Sequence, residues 1–189
     1  MPVTNDAPTP IESTGRASAR TLVLLGVVAL LVYGLDQLTK YLILQNLTVG
    51  EQVPVLGQVL QFFLVKNSGA AFSLGTGYTW IFAIIASLVA VFIVVFARRI
   101  RSFAWAAVFG LLLGGTIGNL NDRLFREPGF GVGHVVDFIR IYAFPAIFNI
   151  ADIAVCSAMV LFVILTLRGI GLDGRRAVAS KSPEPIDAP

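Results

Sequence analysis

Cysteine and histidine are almost absent from this chain of 189 residues, which contains one of each, Cys156 and His134. A single cysteine excludes an intrachain disulfide, and inside an apolar run it is typical of a small packing residue. Zinc sites usually need three or four His, Cys or carboxylate ligands at close spacing. One His and one Cys cannot build the common sets, and a Ser-His-Asp triad would also rest on His134 alone. We therefore predict no metal and a chemistry that needs neither thiol nor imidazole.

Charge is also scarce, because charged residues make up 13% of the chain and hydrophobic residues 56%. The mean hydropathy of +0.82 indicates more apolar surface than a soluble domain of this length could bury. Four segments are apolar enough to cross a bilayer as helices of about 20 residues: residues 21–44, 79–97, 103–120 and 150–167. We expect one membrane domain over residues 21–168, flanked by disordered tails at residues 1–20 and 169–189, which lack apolar periodicity.

The basic residues cluster before the first predicted span, after the second and after the fourth. By the positive-inside rule, both ends of the chain are then cytoplasmic. The connections at residues 45–78 and 122–149 would face the outside of the cell. The formal net charge is only +3, and no basic patch of the kind that binds nucleic acid is evident.

The first outer connection contains a β-branched and aromatic stretch between Val53 and Val65, interrupted by Pro54 and Gly57. This composition favours two or three short strands. The fold class that we predict is an all-α membrane protein with four transmembrane helices and a small extracytoplasmic β-sheet between helices 1 and 2.

Two acids, Asp137 and Asp152, stand beside long apolar runs, where a carboxylate costs several kcal/mol. Neither has a basic residue at helical i±4 spacing, and Ala151 leaves room beside Asp152. A helix N-terminal cap would account for one of the acids, but not for both. Two carboxyl groups that share a proton can hydrolyse a peptide bond, because one ionised group activates water while the protonated group assists the carbonyl.

The other polar motifs have structural alternatives. Asp36 and Lys40 are spaced as a local i, i+4 ion pair, and Asp122 is placed to pair with Arg123. Gly114, Gly115 and Gly118 form a small-residue stripe for close helix packing. Two non-peptidase functions remain as alternatives: a small transporter with its acids as ion sites, and a membrane scaffold, which leaves two acids unexplained.

Five motifs in order resemble the lipoprotein signal peptidase family, the type II signal peptidases of bacteria. They are Asp36 with Lys40, Asn67 to Phe72, Gly118 to Arg123, Val135 to Phe138, and Phe148 to Asp152. The resemblance covers the chain from about Gly34 to Ile153 and includes the fold described above.

The resemblance implies an aspartic endopeptidase without a cofactor, in the inner membrane of a bacterium. Its substrates would be diacylglyceryl-modified prolipoproteins, cleaved before the lipidated Cys, and membrane lipids would surround it. It also implies roles for individual residues: Asp137 and Asp152 as the catalytic pair; Asn67, Gly69, Asn119, Arg123 and Asn149 lining the site; and Asp36, Lys40, Asp122 and Ala151 supporting it.

Overall fold

Four long apolar helices dominate the computed structural model, which describes residues 17–69 and 78–176. The helices are α1 (Ala19–Asn46), α2 (Thr79–Phe96), α3 (Phe103–Phe125) and α4 (Ile150–Leu167). Each is long and apolar enough to cross a membrane. The prediction of four long apolar helices is confirmed, although α3 continues five residues beyond residue 120 because its polar last turn is held by contacts with α1.

The central helix is α3, which packs against α1, α2 and α4. Its glycines allow this close approach. A Cβ atom at Gly114 would lie 2.6 Å from the carbonyl oxygen of Ala29 in α1, and one at Gly115 would lie 2.5 Å from the carbonyl oxygen of Ala151 in α4. Such distances exclude any larger residue without movement of the backbone, so the predicted packing role of this stripe is confirmed.

A four-stranded antiparallel sheet, in the order β1-β2-β3-β4, joins the helices at one end of the bundle. Its strands are β1 (Gln52–Leu56), β2 (Leu60–Asn67), β3 (Val135–Ile141) and β4 (Ile147–Phe148). The sequence predicts strands only between helices 1 and 2, and this part of the prediction is incomplete. β3 was missed because Val135 to Ile139 are all buried, so they show no alternation of apolar and polar residues.

The pairing of β2 with β3 places Val65 opposite Asp137 and Asn67 opposite Val135. A small apolar cluster that includes Leu64, Val136 and Phe138 fixes this register against the end of α1. The sheet therefore brings the ends of β2 and β3 to the mouth of the helix bundle, where α4 begins.

The predicted tails lie largely outside the described residues, as do Ala70 to Phe72 of the second motif. The described part of the second tail differs from the prediction, because residues 169–176 form an ordered turn. The Leu172 carbonyl oxygen accepts hydrogen bonds from the backbone N–H groups of Arg101 and Ser102, at 2.9 Å each. Leu172 also packs against the main helical core. This apolar contact helps to order the segment.

Candidate active site

Asp137 and Asp152 line the same cleft, a cavity of about 890 Å³ at the junction of the sheet with α3 and α4. β3 supplies Asp137 and the first turn of α4 supplies Asp152. Asp137 is 3% exposed, and Asp152 is half-buried. The two acids that the sequence leaves unexplained are thus neighbours in space.

Asparagine side chains hold both carboxyl groups. Asp137 accepts hydrogen bonds from Asn67 Nδ2 at 2.9 Å and from Asn149 Nδ2 at 2.6 Å. Asp152 accepts from Asn119 Nδ2 at 2.8 Å and from the backbone N–H of Asn149 at 3.1 Å. Asn149 Nδ2 also lies 3.0 Å from Asn119 Oδ1, so one asparagine links the surroundings of both acids.

Asn149 is also the N-cap of α4, and it forms a capping box with Asp152. The predicted cap is therefore present, but the cap and the carboxyl pair are parts of one arrangement. Because the cap fixes the start of the helix, it also fixes the direction of the Asp152 side chain relative to β3.

Burial, followed by repulsion from Asp152, raises the pKa of Asp137 to about 7. The hydrogen bonds from Asn67 and Asn149 act in the opposite direction, because they stabilise the carboxylate. Near pH 7, the protonated and the ionised forms of Asp137 are therefore both populated.

Asp36 and Asp122 lie behind this pair and are fully buried. Lys40 Nζ lies 2.8 Å from Asp36 Oδ2 and 2.7 Å from Asp122 Oδ2, and Arg126 makes a second ion pair with Asp122. The predicted pairing of Asp36 with Lys40 is confirmed. The predicted pairing of Asp122 with Arg123 is wrong, because Arg126, one helical turn further on, and Lys40 take both oxygens.

This ion-pair network holds the elements that carry the cleft acids. Asp36 Oδ1 accepts the backbone N–H of Ala151 at 3.0 Å, one residue before Asp152. Asp122 Oδ2 accepts the backbone N–H of Val136 at 3.2 Å, one residue before Asp137. Lys40 Nζ lies 3.0 Å from Asn119 Oδ1. The structure thus places Asp36, Lys40, Asp122 and Ala151 behind the cleft, in hydrogen-bond contact with groups next to its acids.

Arg123 lines the cleft and is 8% exposed. Its Nη2 donates to the carbonyl oxygen of Gly69 at 2.8 Å, and its guanidinium lies 5.4 Å from the centre of the Phe82 ring. Among the described residues, Nη1 has no hydrogen-bond partner. The guanidinium is therefore held in place at the wall of the cleft.

Several residues of this region were missed from the sequence. Gln37 donates hydrogen bonds to Asp36, to Asp122 and to the carbonyl oxygen of Gly118. Its position as a polar residue inside an apolar helix could have identified it. Cys156 was predicted to be a buried packing residue, but it is exposed and lines the cleft one turn after Asp152. No sequence pattern identified the apolar lining contributed by Phe144, Phe148, Val160 and Leu161.

Comparisons with known proteins match this arrangement to one family. The model of the signal peptidase (SPase) II family matches residues 28–168. The lipoprotein signal peptidase of Leifsonia xyli is 59% identical over 177 residues, which cover 90% of this chain and 82% of that protein. The enzyme of the same name from Mycobacterium avium is 44% identical and covers 92% of this chain and 98% of its own length.

Solved structures agree with the sequence comparisons. A bacterial membrane enzyme determined by the in meso method at 2.3 Å resolution superposes with a TM-score of 0.71 and 28% identity, over 86% of this chain and 97% of that chain. A second, determined at 1.9 Å resolution, gives a TM-score of 0.67 and 30% identity, over 81% of this chain and 96% of that one. This multi-pass membrane protein therefore belongs to the signal peptidase II family of lipoprotein signal peptidases.

Proposed function

We propose that this protein is an aspartic endopeptidase that removes the signal peptide from diacylglyceryl-modified prolipoproteins, cleaving before the lipidated Cys. The observation that supports this proposal is the cleft pair, Asp137 and Asp152. Both carboxyl groups are held by asparagines, and neither has an ion-pair partner among residues 17–69 and 78–176. Asp36 and Asp122 differ from this pair, because both form ion pairs with Lys40 and neither has exposed surface.

The two acids would take opposite roles. Asp152 is in the first turn of α4, where the positive end of the helix dipole favours a carboxylate. Asp137, with its pKa raised to about 7 by burial and by Asp152, holds the proton of the pair below that pH. We therefore assign the general base to Asp152 and the general acid to Asp137.

The reaction follows from these assignments. Water attacks the carbonyl carbon of the scissile bond, its proton passes to Asp152, and Asp137 gives its proton to the carbonyl oxygen, which leaves a neutral tetrahedral diol. Asp152 then protonates the leaving nitrogen as the C–N bond breaks, and Asp137 recovers a proton from the diol. The pair again holds one proton, so it is ready for the next substrate.

The walls of the cleft suit a lipid-modified peptide. The described wall is mostly apolar where α4 contributes Val155, Val160 and Leu161, and it is polar around the two acids. Acyl chains would contact the apolar wall, and the Arg123 guanidinium would donate to a carbonyl oxygen of the substrate. A modified Cys would thereby bring the preceding peptide bond to the two acids.

The cellular location follows from charge. In a bacterial inner membrane, the arginine-rich end of the bundle would be cytoplasmic. The cleft, together with the sheet, would then face outward, where prolipoproteins arrive after export. We propose that both ends of the chain lie in the cytoplasm.

The test is cleavage of a prolipoprotein by the purified full-length protein in a bilayer. We expect a diacylglyceryl-modified precursor to be cleaved and the unmodified precursor to be left intact. Asp137→Asn and Asp152→Asn should each lower the rate by about 10²- to 10⁴-fold while the thermal unfolding midpoint stays near that of the parent. The matched control is Asp173→Asn, which alters an exposed acid at the far end of the bundle.

Full activity in Asp137→Asn or in Asp152→Asn would contradict the assignment of the pair. Loss of activity in Asp122→Asn without loss of stability, together with an active Asp137→Asn, would identify Asp122 as the second catalytic acid. Equal cleavage of both precursors would contradict the proposed recognition of the lipid.

A further inference from the structure

A second cavity, of about 410 Å³, lies at the end of the helix bundle opposite to the cleft. Its lining is mostly aromatic and aliphatic, and includes Phe96, Trp105, Phe109, Phe162, Ile170 and Leu172. The Trp105 and Phe162 rings meet edge to face at 5.2 Å. The cavity is therefore a built apolar recess between α2, α3 and α4.

The turn after α4 closes one side of this cavity. Trp105 Nε1 donates to the carbonyl oxygen of Ile170 at 3.0 Å, and the Leu172 carbonyl oxygen is held by the start of α3. Ile170 also pairs with Arg176 through an isolated β-bridge. The same turn thus places the backbone of Arg175 and Arg176 beside Gly171 and Ile170 of the lining.

Exposed arginines from three elements, which we call the rim, lie beside residues of the lining. The Arg99 guanidinium lies 5.9 Å from the centre of the Phe96 ring, which is part of the lining. Arg168 lies between Thr166 and Gly169 in the chain, and both of these residues line the cavity. In the described residues, Asp173 is the only acid at this end of the bundle, and it lies 4.0 Å from Arg175. The rim is strongly positive and the interior is apolar.

We propose that this cavity binds one acyl chain of an anionic phospholipid, with its phosphate among the arginines of the rim. An apolar recess with a basic rim matches a lipid that has an anionic headgroup, because headgroup and chain enter different parts of the site. The positively charged n-region of a signal peptide would be repelled by the same rim. The site is independent of the peptidase proposal.

The test uses the fluorescence of Trp105. The chain contains two tryptophans, Trp80 and Trp105, so Trp80→Phe leaves Trp105 as the only reporter. The full-length protein is placed in phosphatidylcholine vesicles that contain a small fraction of dibrominated phosphatidylglycerol or, at the same fraction, dibrominated phosphatidylcholine. We expect the anionic quencher to occupy the site about fivefold more often, because each basic residue adds to the attraction for anionic lipid.

Four variants separate the proposed site from general enrichment of anionic lipid. Arg99→Gln with Arg168→Gln should remove the preference, whereas Arg140→Gln, on the sheet, should keep it. Thr166→Phe should fill the cavity and reduce quenching of Trp105, although the arginines remain. A Trp105→Phe protein reports from Trp80, at the opposite end of α2, and should show no preference.

Equal quenching of Trp105 by the two brominated lipids would overturn the proposal, and this comparison needs only the Trp80→Phe protein. Unchanged quenching in Thr166→Phe would also overturn it, since the anionic lipid would then gather near the arginines without entering the cavity. Circular dichroism establishes that each variant is folded, and the Trp105 emission maximum adds a second check in the variants that retain Trp105.

Discussion

Asp137 is a carboxyl group with little access to water and with a second carboxyl group close by. The protein stabilises it with amide donors from Asn67 and Asn149 and leaves it without a cation of its own among the described residues. A cation beside Asp137 would favour its ionised form, but Lys40 pairs with Asp36 and Asp122 instead. At the residue scale, Asp36 and Asp122 therefore differ from Asp137 and Asp152 in having an ion-pair partner among the described residues.

The pH dependence of cleavage should reflect this carboxyl group. The active form in the proposed mechanism holds one proton on the pair, and burial raises the pKa of Asp137 to about 7. As the pH rises above that value, the proton is lost and kcat/KM should fall by about tenfold per pH unit. The measurement is kcat/KM from pH 5 to 9. A rate that stays constant up to pH 9 would contradict the assigned acid.

Stability should change in the same pH range. Because the pKa of Asp137 is higher in the folded protein than the ordinary value of 3.8 for an aspartate, the folded state binds more protons between these two pH values. The free energy of unfolding should therefore fall as the pH rises from about 4 to 7. Asp137→Asn should make that dependence weaker, as measured by thermal unfolding at several pH values.

At the scale of the element, α3 carries glycines where it crosses α1 and α4. The three helices can therefore approach closely beside the site. Gly118 faces Asp36 of α1 and Ala151 of α4, the two residues joined by the hydrogen bond at the start of α4. The glycine stripe and the ion pair are both evident from the sequence. Their contact is not, because it depends on how three helices cross.

Replacement of this glycine should therefore disturb the site through packing. A Cβ atom at Gly118 would lie 2.6 Å from Asp36 Oδ2 and 3.3 Å from Ala151 Cβ. Gly118→Ala should push Asp36 from Lys40 and lower the free energy of unfolding by about 1–3 kcal/mol, with a matching loss of cleavage. The measurement is unfolding in detergent, followed by cleavage in a bilayer.

The matched control is Gly34→Ala in α1, where a new Cβ atom would meet nothing within 4 Å. Alanine favours a helix over glycine, so this variant should be as stable as the parent or slightly more so. If Gly118→Ala behaves like Gly34→Ala, the packing of α3 against Asp36 does not position the site.

At the scale of the whole molecule, four helices that each crossed a membrane would place residues 17 and 176 on the same side of it. The sheet and the cleft lie at the other end of the bundle from the arginine-rich turn after α4. The chain thus separates a polar site with acids from a basic end, which is the distribution that the positive-inside rule relates to orientation.

Orientation can be measured by labelling. On a Cys156→Ser background, which removes the only cysteine, Gly129→Cys lies in the connection between α3 and β3, and Arg175→Cys lies in the turn after α4. A membrane-impermeant maleimide should label position 129 in intact cells whose outer layers have been opened, and position 175 only after the inner membrane is permeabilised. The reverse pattern would contradict the proposed location of the cleft.

The sequence by itself determined the four spans, because an apolar run of about 20 residues has few other stable environments than a bilayer. It also singled out the two acids of the cleft, since carboxyl groups beside apolar segments are costly without a purpose, whereas the asparagines were identified through the resemblance of the motifs to a known family. The ion pair of Asp36 with Lys40 followed from helical spacing alone. These are local properties, so they can be read from neighbours along the chain.

Only the tertiary structure decided which groups meet. Asp122 pairs with Lys40 across 82 positions of the chain instead of with the adjacent Arg123. β3 could not be distinguished as a strand, because burial on both faces removes the alternating pattern. Cys156 turned out to face the cleft because the orientation of α4 depends on its contacts with Gly115 and Asp36. Pairing and orientation arise from packing between distant segments, which the order of residues does not record.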